Sequence, residues 1–197
     1  MESYVSCQKQ NSLQTVSTTI ATKTLIVLSG LPYSGKSTIA AALKSERGGV
    51  VLSRDEIVEA MLKDPVKQMI AKNLAEQIAE PVSRARETKE ANAMNDALTV
   101  LYVNEMVERI KVSDANTIIC DGTHLQKLSR AFIQQLPEYR KIAIAVKTPA
   151  DVCIERLSKS PSSGFRATVT PEMIRKLDEV AEWPTVEEGF DEVIKKP

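Results

Sequence analysis

The sequence has little cysteine, no excess of charge of either sign and no long apolar run. Three cysteines, Cys7, Cys120 and Cys153, are too widely spaced to form a disulfide framework or a metal-ligand pattern. This usage predicts a reducing compartment, the cytoplasm. The 26 basic and 26 acidic residues cancel, which argues against long-range attraction to nucleic acid as the main source of affinity but permits a local basic groove. No apolar stretch approaches the roughly 18 residues that a membrane span requires.

Residues 1–23 are rich in serine, threonine and glutamine. The segment has neither the apolar centre of a secretory signal nor the arginines of a transit peptide. We expect a disordered N-terminal tail, followed by a single domain over residues 24–197.

A glycine-rich motif carries the strongest functional signal. Residues 30–37 read Gly-Leu-Pro-Tyr-Ser-Gly-Lys-Ser, the P-loop pattern G-x-x-x-x-G-K-[ST], in which backbone N–H groups surround phosphate oxygens. An apolar run at 25–28 precedes the loop and good helix formers follow it, which favours phosphate binding over a chance glycine turn. The predicted nucleotide-binding residues are Gly30, Pro32, Ser34, Gly35, Lys36, Ser37 and Thr38.

The apolar runs predict a sheet of about five strands. They lie at 25–28, 50–52, 116–121, 142–146 and 190–194, and helical patterns separate them. Strands that alternate with helices indicate an α/β fold with a parallel sheet covered on both faces, here a P-loop NTPase three-layer sandwich. We expect a helical insertion at about 64–112, a helix at 123–135 and a polar lid at about 158–169.

Two aspartates follow predicted strands. Asp121 ends an apolar strand in the Walker-B manner, which predicts that it holds Mg²⁺, directly or through water, together with Ser37. The alternative is a turn residue, because Asp121-Gly122 is also a good turn pair. Asp55 comes just after the second strand and could accept the proton of an attacking hydroxyl, or serve only as an acid in the first turn of a helix.

Basic residues supply further candidates. Phosphoryl transfer needs positive charge next to the transferred group. Arg156 and Arg166 border or lie in the predicted lid and are candidates for catalytic contact with the phosphates; the alternative is that both are solvated surface arginines. Arg130 is a candidate for acceptor contact. His124 is the only histidine in the chain, and a satisfied structural role is favoured over a general base. The C-terminal acids are interpreted as solvated surface: Glu187, Glu188, Asp191 and Glu192.

Four segments together resemble the P-loop kinases of the polynucleotide 5′-hydroxyl kinase group, whose ATP-binding domains are of the AAA type. They are the P-loop with its proline, Ser-Arg-Asp at 53–55, Asp-Gly-Thr-His-Leu at 121–125 (with His where Asn is usual), and Pro-Thr-Val-Glu-Glu-Gly-Phe at 184–190.

The resemblance implies an ATP- and Mg²⁺-dependent kinase. It implies that Lys36 and Asp55 are catalytic, with Asp55 as the general base, and that Arg54 and Thr123 contact the acceptor. The 5′-hydroxyl end of a nucleic acid is the first acceptor to consider. Val58 stands where some members carry an arginine for the acceptor's phosphate, so a small-molecule alcohol is the alternative. A nucleotide-binding regulatory module without turnover is a third possibility.

Overall fold

A computed structural model describes residues 23–79, 86–159 and 169–197 of the chain. Its strands are β1 (Thr24–Gly30), β2 (Val50–Ser53), β3 (Thr117–Asp121), β4 (Arg140–Val146) and β5 (Glu192–Lys196). Its α-helices are α1 (Lys36–Arg47), α2 (Arg54–Lys63), α3 (Pro65–Ala79), α4 (Arg86–Lys111), α5 (Lys127–Arg130), α6 (Ala150–Lys159) and α7 (Pro171–Glu179). Two 3-10 turns, Ala131–Gln135 and Val186–Glu188, complete the assignment.

The five strands form one parallel sheet in the order β2-β3-β1-β4-β5. The strand that leads into the P-loop is therefore central, with β3 on one side and β4 on the other. All strands end at the same edge of the sheet, where parallel α/β proteins bind ligands.

Alternate residues of the strands face two separate apolar layers. Leu25 and Val27 of β1 pack with α2, α4 and the 131–135 turn in the larger layer. Ile26 and Leu28 pack with α1 on the opposite face. Burial on both faces explains why the strands read as continuous apolar runs rather than as an alternation. The predicted three-layer α/β sandwich with five parallel strands is confirmed.

Some predicted segments differ in detail from the structure, and others lie outside the residues that it describes. The helix expected at 123–135 is only a short α5 and a 3-10 turn. The insertion at 64–112 contains α3 and α4, which pack against each other. The N-terminal tail up to residue 22, and most of the lid, lie outside the described residues. In the part of the chain that is described, no helix is long and apolar enough to cross a membrane.

Candidate functional site

The glycine-rich loop between β1 and α1 has the backbone that its sequence predicts. Gly35 (φ 99°) and Tyr33 (φ 63°) occupy the left-handed region, which is rare for a residue other than glycine. At Gly30 the constraint is space, because a Cβ would lie 2.7 Å from the carbonyl oxygen of Val146 and 2.9 Å from Ser34 Oγ. The loop delivers the chain to the N-terminus of α1, where backbone N–H groups and the helix dipole favour an anion.

The Lys36 side chain lies within this loop. It is buried, and its Nζ donates to the carbonyl oxygen of Leu31 at 2.5 Å and lies 3.3 Å from Ser34 Oγ. Pro32 is half-buried, whereas Ser37 and Thr38 are exposed on the first turn of α1. An ammonium inside the loop and two hydroxyls at its rim form an arrangement suited to a polyphosphate.

Two neighbouring elements hold the loop from outside. Thr148 follows β4 and donates through Oγ1 to the carbonyl oxygen of Ser34 at 3.0 Å. Arg156 on α6 donates through Nη1 to the carbonyl oxygen of Tyr33 at 3.1 Å, and the same nitrogen lies 3.7 Å from where a Cβ at Gly35 would be. The exposed Arg156 guanidinium therefore lies against the P-loop.

Asp121 ends β3, and Asp55 lies two residues past the end of the neighbouring strand β2. Ser53, the last residue of β2, pairs with Asp121 of β3 in the sheet. The Ser53 hydroxyl accepts a hydrogen bond from the Glu56 N–H at 3.4 Å and caps α2, as its capping-box spacing predicts, so that Asp55 falls in the first turn. The backbone N–H of Gly30 donates to the carbonyl oxygen of Thr123 at 2.9 Å. These contacts bring the P-loop, Asp55, Asp121 and Thr123 to one edge.

Ser37 and Asp121 offer an oxygen-only donor set for a metal. Within residues 23–79, 86–159 and 169–197, no three His, Cys, Asp or Glu side chains form a cluster that could hold a metal ion. A hydroxyl and a carboxylate fit Mg²⁺, which keeps several water ligands and takes others from nucleotide phosphates.

His124 lies beneath the site and is fully buried. Its Nδ1 lies 2.8 Å from the carbonyl oxygen of Leu28, and its Nε2 lies 2.6 Å from the Tyr102 hydroxyl. Burial, together with the positive charges of Arg54 and Lys36, lowers the pKa of His124 to about 3. A buried, neutral and fully bonded imidazole fits the structural role favoured from the sequence.

Tyr102 of α4 is the contributor that sequence reasoning missed. It is buried beside His124, with ring centroids 5.9 Å apart, and the Arg54 guanidinium lies over its ring, 5.3 Å from the centroid. The helical spacing of apolar residues in α4 marks a core face, and nothing in that pattern sets Tyr102 apart.

The structure corrects the prediction for Arg130. Its side chain is fully buried and forms a two-pronged ion pair with Glu188, with both N–O distances at 2.8 Å. Nη1 donates to the carbonyl oxygens of His124 and Glu182. Arg130 therefore holds the backbone under the site instead of reaching an acceptor, and Glu188 is its partner rather than a solvated acid. Arg166 lies outside the described residues.

Solved structures share this fold at low sequence identity, and three of them serve as examples. A shikimate kinase from Acinetobacter baumannii in complex with shikimate superimposes with a TM-score of 0.50 at 16% identity, over 90% of this chain and 86% of its own. A gluconokinase from Sinorhizobium meliloti 1021 gives 0.53 at 14% identity, over 88% and 82%. The protein TT1252 from Thermus thermophilus gives 0.54 at 17% identity, over 88% of each chain. No curated protein sequence matches significantly.

A family comparison covers more than the P-loop itself. The profile of the AAA domain family matches residues 25–184. The matched region includes the P-loop, both aspartates, His124 and the helices of the insertion. Since this is most of the chain, the protein belongs to the AAA domain family.

Proposed function

We propose that the protein is an ATP- and Mg²⁺-dependent kinase that transfers the γ-phosphoryl group to a hydroxyl of a small-molecule acceptor. The observation that carries the proposal is the convergence of the P-loop with Asp55 and Asp121 at one sheet edge, through the pairing of Ser53 with Asp121. A phosphate cradle next to two carboxylates provides both a donor site and a base.

In this proposal each residue acts by position and charge. Backbone N–H groups of the loop and the Lys36 ammonium bind the donor phosphates, and Arg156 adds positive charge from outside the loop. Asp55 accepts the proton of the acceptor hydroxyl. Mg²⁺, held by Ser37 and Asp121, would neutralise charge on the phosphate oxygens. The transition state of phosphoryl transfer is mostly loose, so positioning and electrostatics dominate catalysis.

The small-molecule acceptor is favoured over the 5′-hydroxyl end of a nucleic acid by three observations. Solved structures with this fold include a shikimate kinase and a gluconokinase. Val58, where an arginine would neutralise an acceptor phosphate in the polynucleotide kinase group, is buried in the core. The zero net charge of the chain points the same way.

The test is a γ-labelled ATP assay against nucleosides, sugar acids, antibiotics and 5′-hydroxyl oligonucleotides. We expect label in a small-molecule product, with Lys36→Ala as the inactive control. A polynucleotide acceptor would instead be labelled with an apparent affinity that falls steeply as salt rises. Intact ATP with every acceptor would contradict the proposal and favour a regulatory module without turnover.

A further inference from the structure

The Tyr102 hydroxyl lies in a series of side-chain contacts beneath the site. Nδ1 of His124 faces a carbonyl oxygen, which can only accept, so Nδ1 carries the proton. In the neutral ring Nε2 is then the acceptor, and the Tyr102 hydroxyl donates to it. Burial raises the pKa of Tyr102 well above its ordinary value, which keeps this donor protonated. One arrangement of protons therefore satisfies both hydrogen bonds of the His124 ring.

Arg54 lies at the other end of this series of contacts. The Tyr102 ring, fixed at its hydroxyl, presents its face to the Arg54 guanidinium at 5.3 Å, a cation–π distance. Gly122 leaves the space for this packing, because a Cβ there would lie 2.7 Å from His124 Cε1 and 2.8 Å from Arg54 Cβ. Arg54 precedes Asp55 on the first turn of α2 and is half-buried.

We propose that Tyr102 and His124 are positioning residues that hold Arg54 beside the acceptor site, and that Arg54 selects an acceptor carrying an anionic group near its hydroxyl. This inference rests on the proposed function and specifies its substrate class. A guanidinium next to the proposed base can bind a carboxylate or a phosphate in two-pronged fashion. Contact with the tyrosine face restricts its motion, so that less freedom is lost when the anion binds.

A spectroscopic test needs no acceptor. His124 is the only histidine, so ¹⁵N-labelled imidazole gives one pair of nitrogen signals. We expect a proton on Nδ1, none on Nε2, and no titration between pH 5 and 8. Tyr102→Phe should shift the Nε2 signal, because its donor is lost. A proton on Nε2, or an Nε2 signal that Tyr102→Phe leaves unchanged, would overturn the proposed positioning role of Tyr102 and His124.

Tyr139→Phe is the matched control for Tyr102→Phe. Tyr139 is also buried, donates its hydroxyl to a backbone carbonyl, that of Ile110, and has a cation, Lys23, near its ring. It precedes β4 and therefore lies at the opposite edge of the sheet. If both variants show the same effect, its cause is a loss of core stability. An effect that only Tyr102→Phe shows reports on the site.

The kinetic test uses acceptors in pairs that differ by one anionic group, with separate carboxylate and phosphate arms. We expect the anionic member to be preferred. Tyr102→Phe should raise the KM for that acceptor about 5- to 20-fold, with the KM for ATP unchanged and Tyr139→Phe near wild type. Arg54→Ala should remove the preference, and adding Tyr102→Phe to it should cost little more, because the two residues act as one unit.

The outcomes separate this inference from the proposed function. Equal use of neutral and anionic acceptors, or equal effects of the two tyrosine variants on the KM, would overturn the inference while leaving the kinase intact. If no acceptor is labelled, the proposed function fails. The inference is then decided by titration of inorganic phosphate and of acetate against the Arg54 side-chain NMR signals. Shifts that weaken in Tyr102→Phe support it, and their absence overturns it.

Discussion

At the scale of single residues, Asp55 offers the cleanest test of the chemistry. Asp55→Asn keeps the shape of the side chain but removes the base, so kcat should fall about 10²- to 10⁴-fold. Binding of ATP, which depends on the loop and Lys36, should be nearly unchanged. Glu56→Gln, at the next and exposed position of α2, is the control. Equal kcat values for the Asp55 variant and the wild type would show that Asp55 is not the base.

His124 should make stability depend on pH. Its pKa is about 3 in the folded chain and near 6.5 when unfolded, so the unfolded state binds an extra proton below pH 6.5. The stabilisation is complete above that pH and falls as the solution becomes more acidic, by up to about 1.4 kcal/mol per pH unit. Urea unfolding at pH 7 and pH 5 measures this loss. Because only about 1.5 units of this pH interval lie below the unfolded pKa, His124→Asn should reduce the difference in unfolding free energy between pH 7 and pH 5 by about 2 kcal/mol.

The sequence was sufficient to predict the P-loop, but it was not sufficient to predict the partner of every side chain. The P-loop could be predicted because glycines with a lysine at that spacing dictate one local backbone. Arg130 was misassigned, because its partner Glu188 is 58 positions away and only the fold brings the two together. Tyr102 was missed for the same reason, since its apolar neighbours in α4 conceal a hydroxyl whose acceptor lies on another element.

At the scale of elements, the Arg130–Glu188 pair fixes the 186–188 turn to α5. Glu188 also accepts a hydrogen bond from the Thr185 N–H at 3.1 Å, which caps that turn. Glu188→Ala would leave a buried guanidinium without its carboxylate, so the free energy of unfolding should drop by about 3–5 kcal/mol.

Glu187→Ala is the control for this variant, because Glu187 is in the same turn but exposed. Chemical denaturation of both proteins measures the difference. Similar unfolding midpoints would mean that the ion pair contributes little beyond its cost of desolvation.

The strands were predicted from sequence better than the helices that connect them. Each strand is a short apolar run with clear limits, and burial on both faces makes such runs conspicuous. The chain from 123 to 135 was predicted to be one helix. Instead, His124 has a left-handed backbone (φ 39°), and its ring and its carbonyl group form hydrogen bonds with Leu28 and Ser29 of β1. Long-range hydrogen bonds thus overrode local helix propensity.

At the scale of the whole molecule, nucleotide binding should stabilise the fold. A ligand that binds only the folded state adds about 2.7 kcal/mol at 100 times its Kd. For a chain of this size, each kcal/mol shifts Tm by roughly 2–4 °C. Thermal unfolding with Mg²⁺ and ATP should show this increase, and Lys36→Ala should abolish most of it.

Lys44→Ala is the matched control, since Lys44 lies on the same helix α1 but is exposed. It should keep the full increase in Tm. Equal shifts for the two lysine variants would mean that the nucleotide binds elsewhere.

The strand order has a consequence for synthesis on the ribosome. β1 and β2 are made first but do not pair with each other; both pair with β3, which ends at Asp121. Until that residue has left the exit tunnel, no ladder of this sheet can close, and two apolar segments remain exposed on the nascent chain. A holding chaperone should therefore bind intermediates stalled before Asp121 and release those stalled well after it.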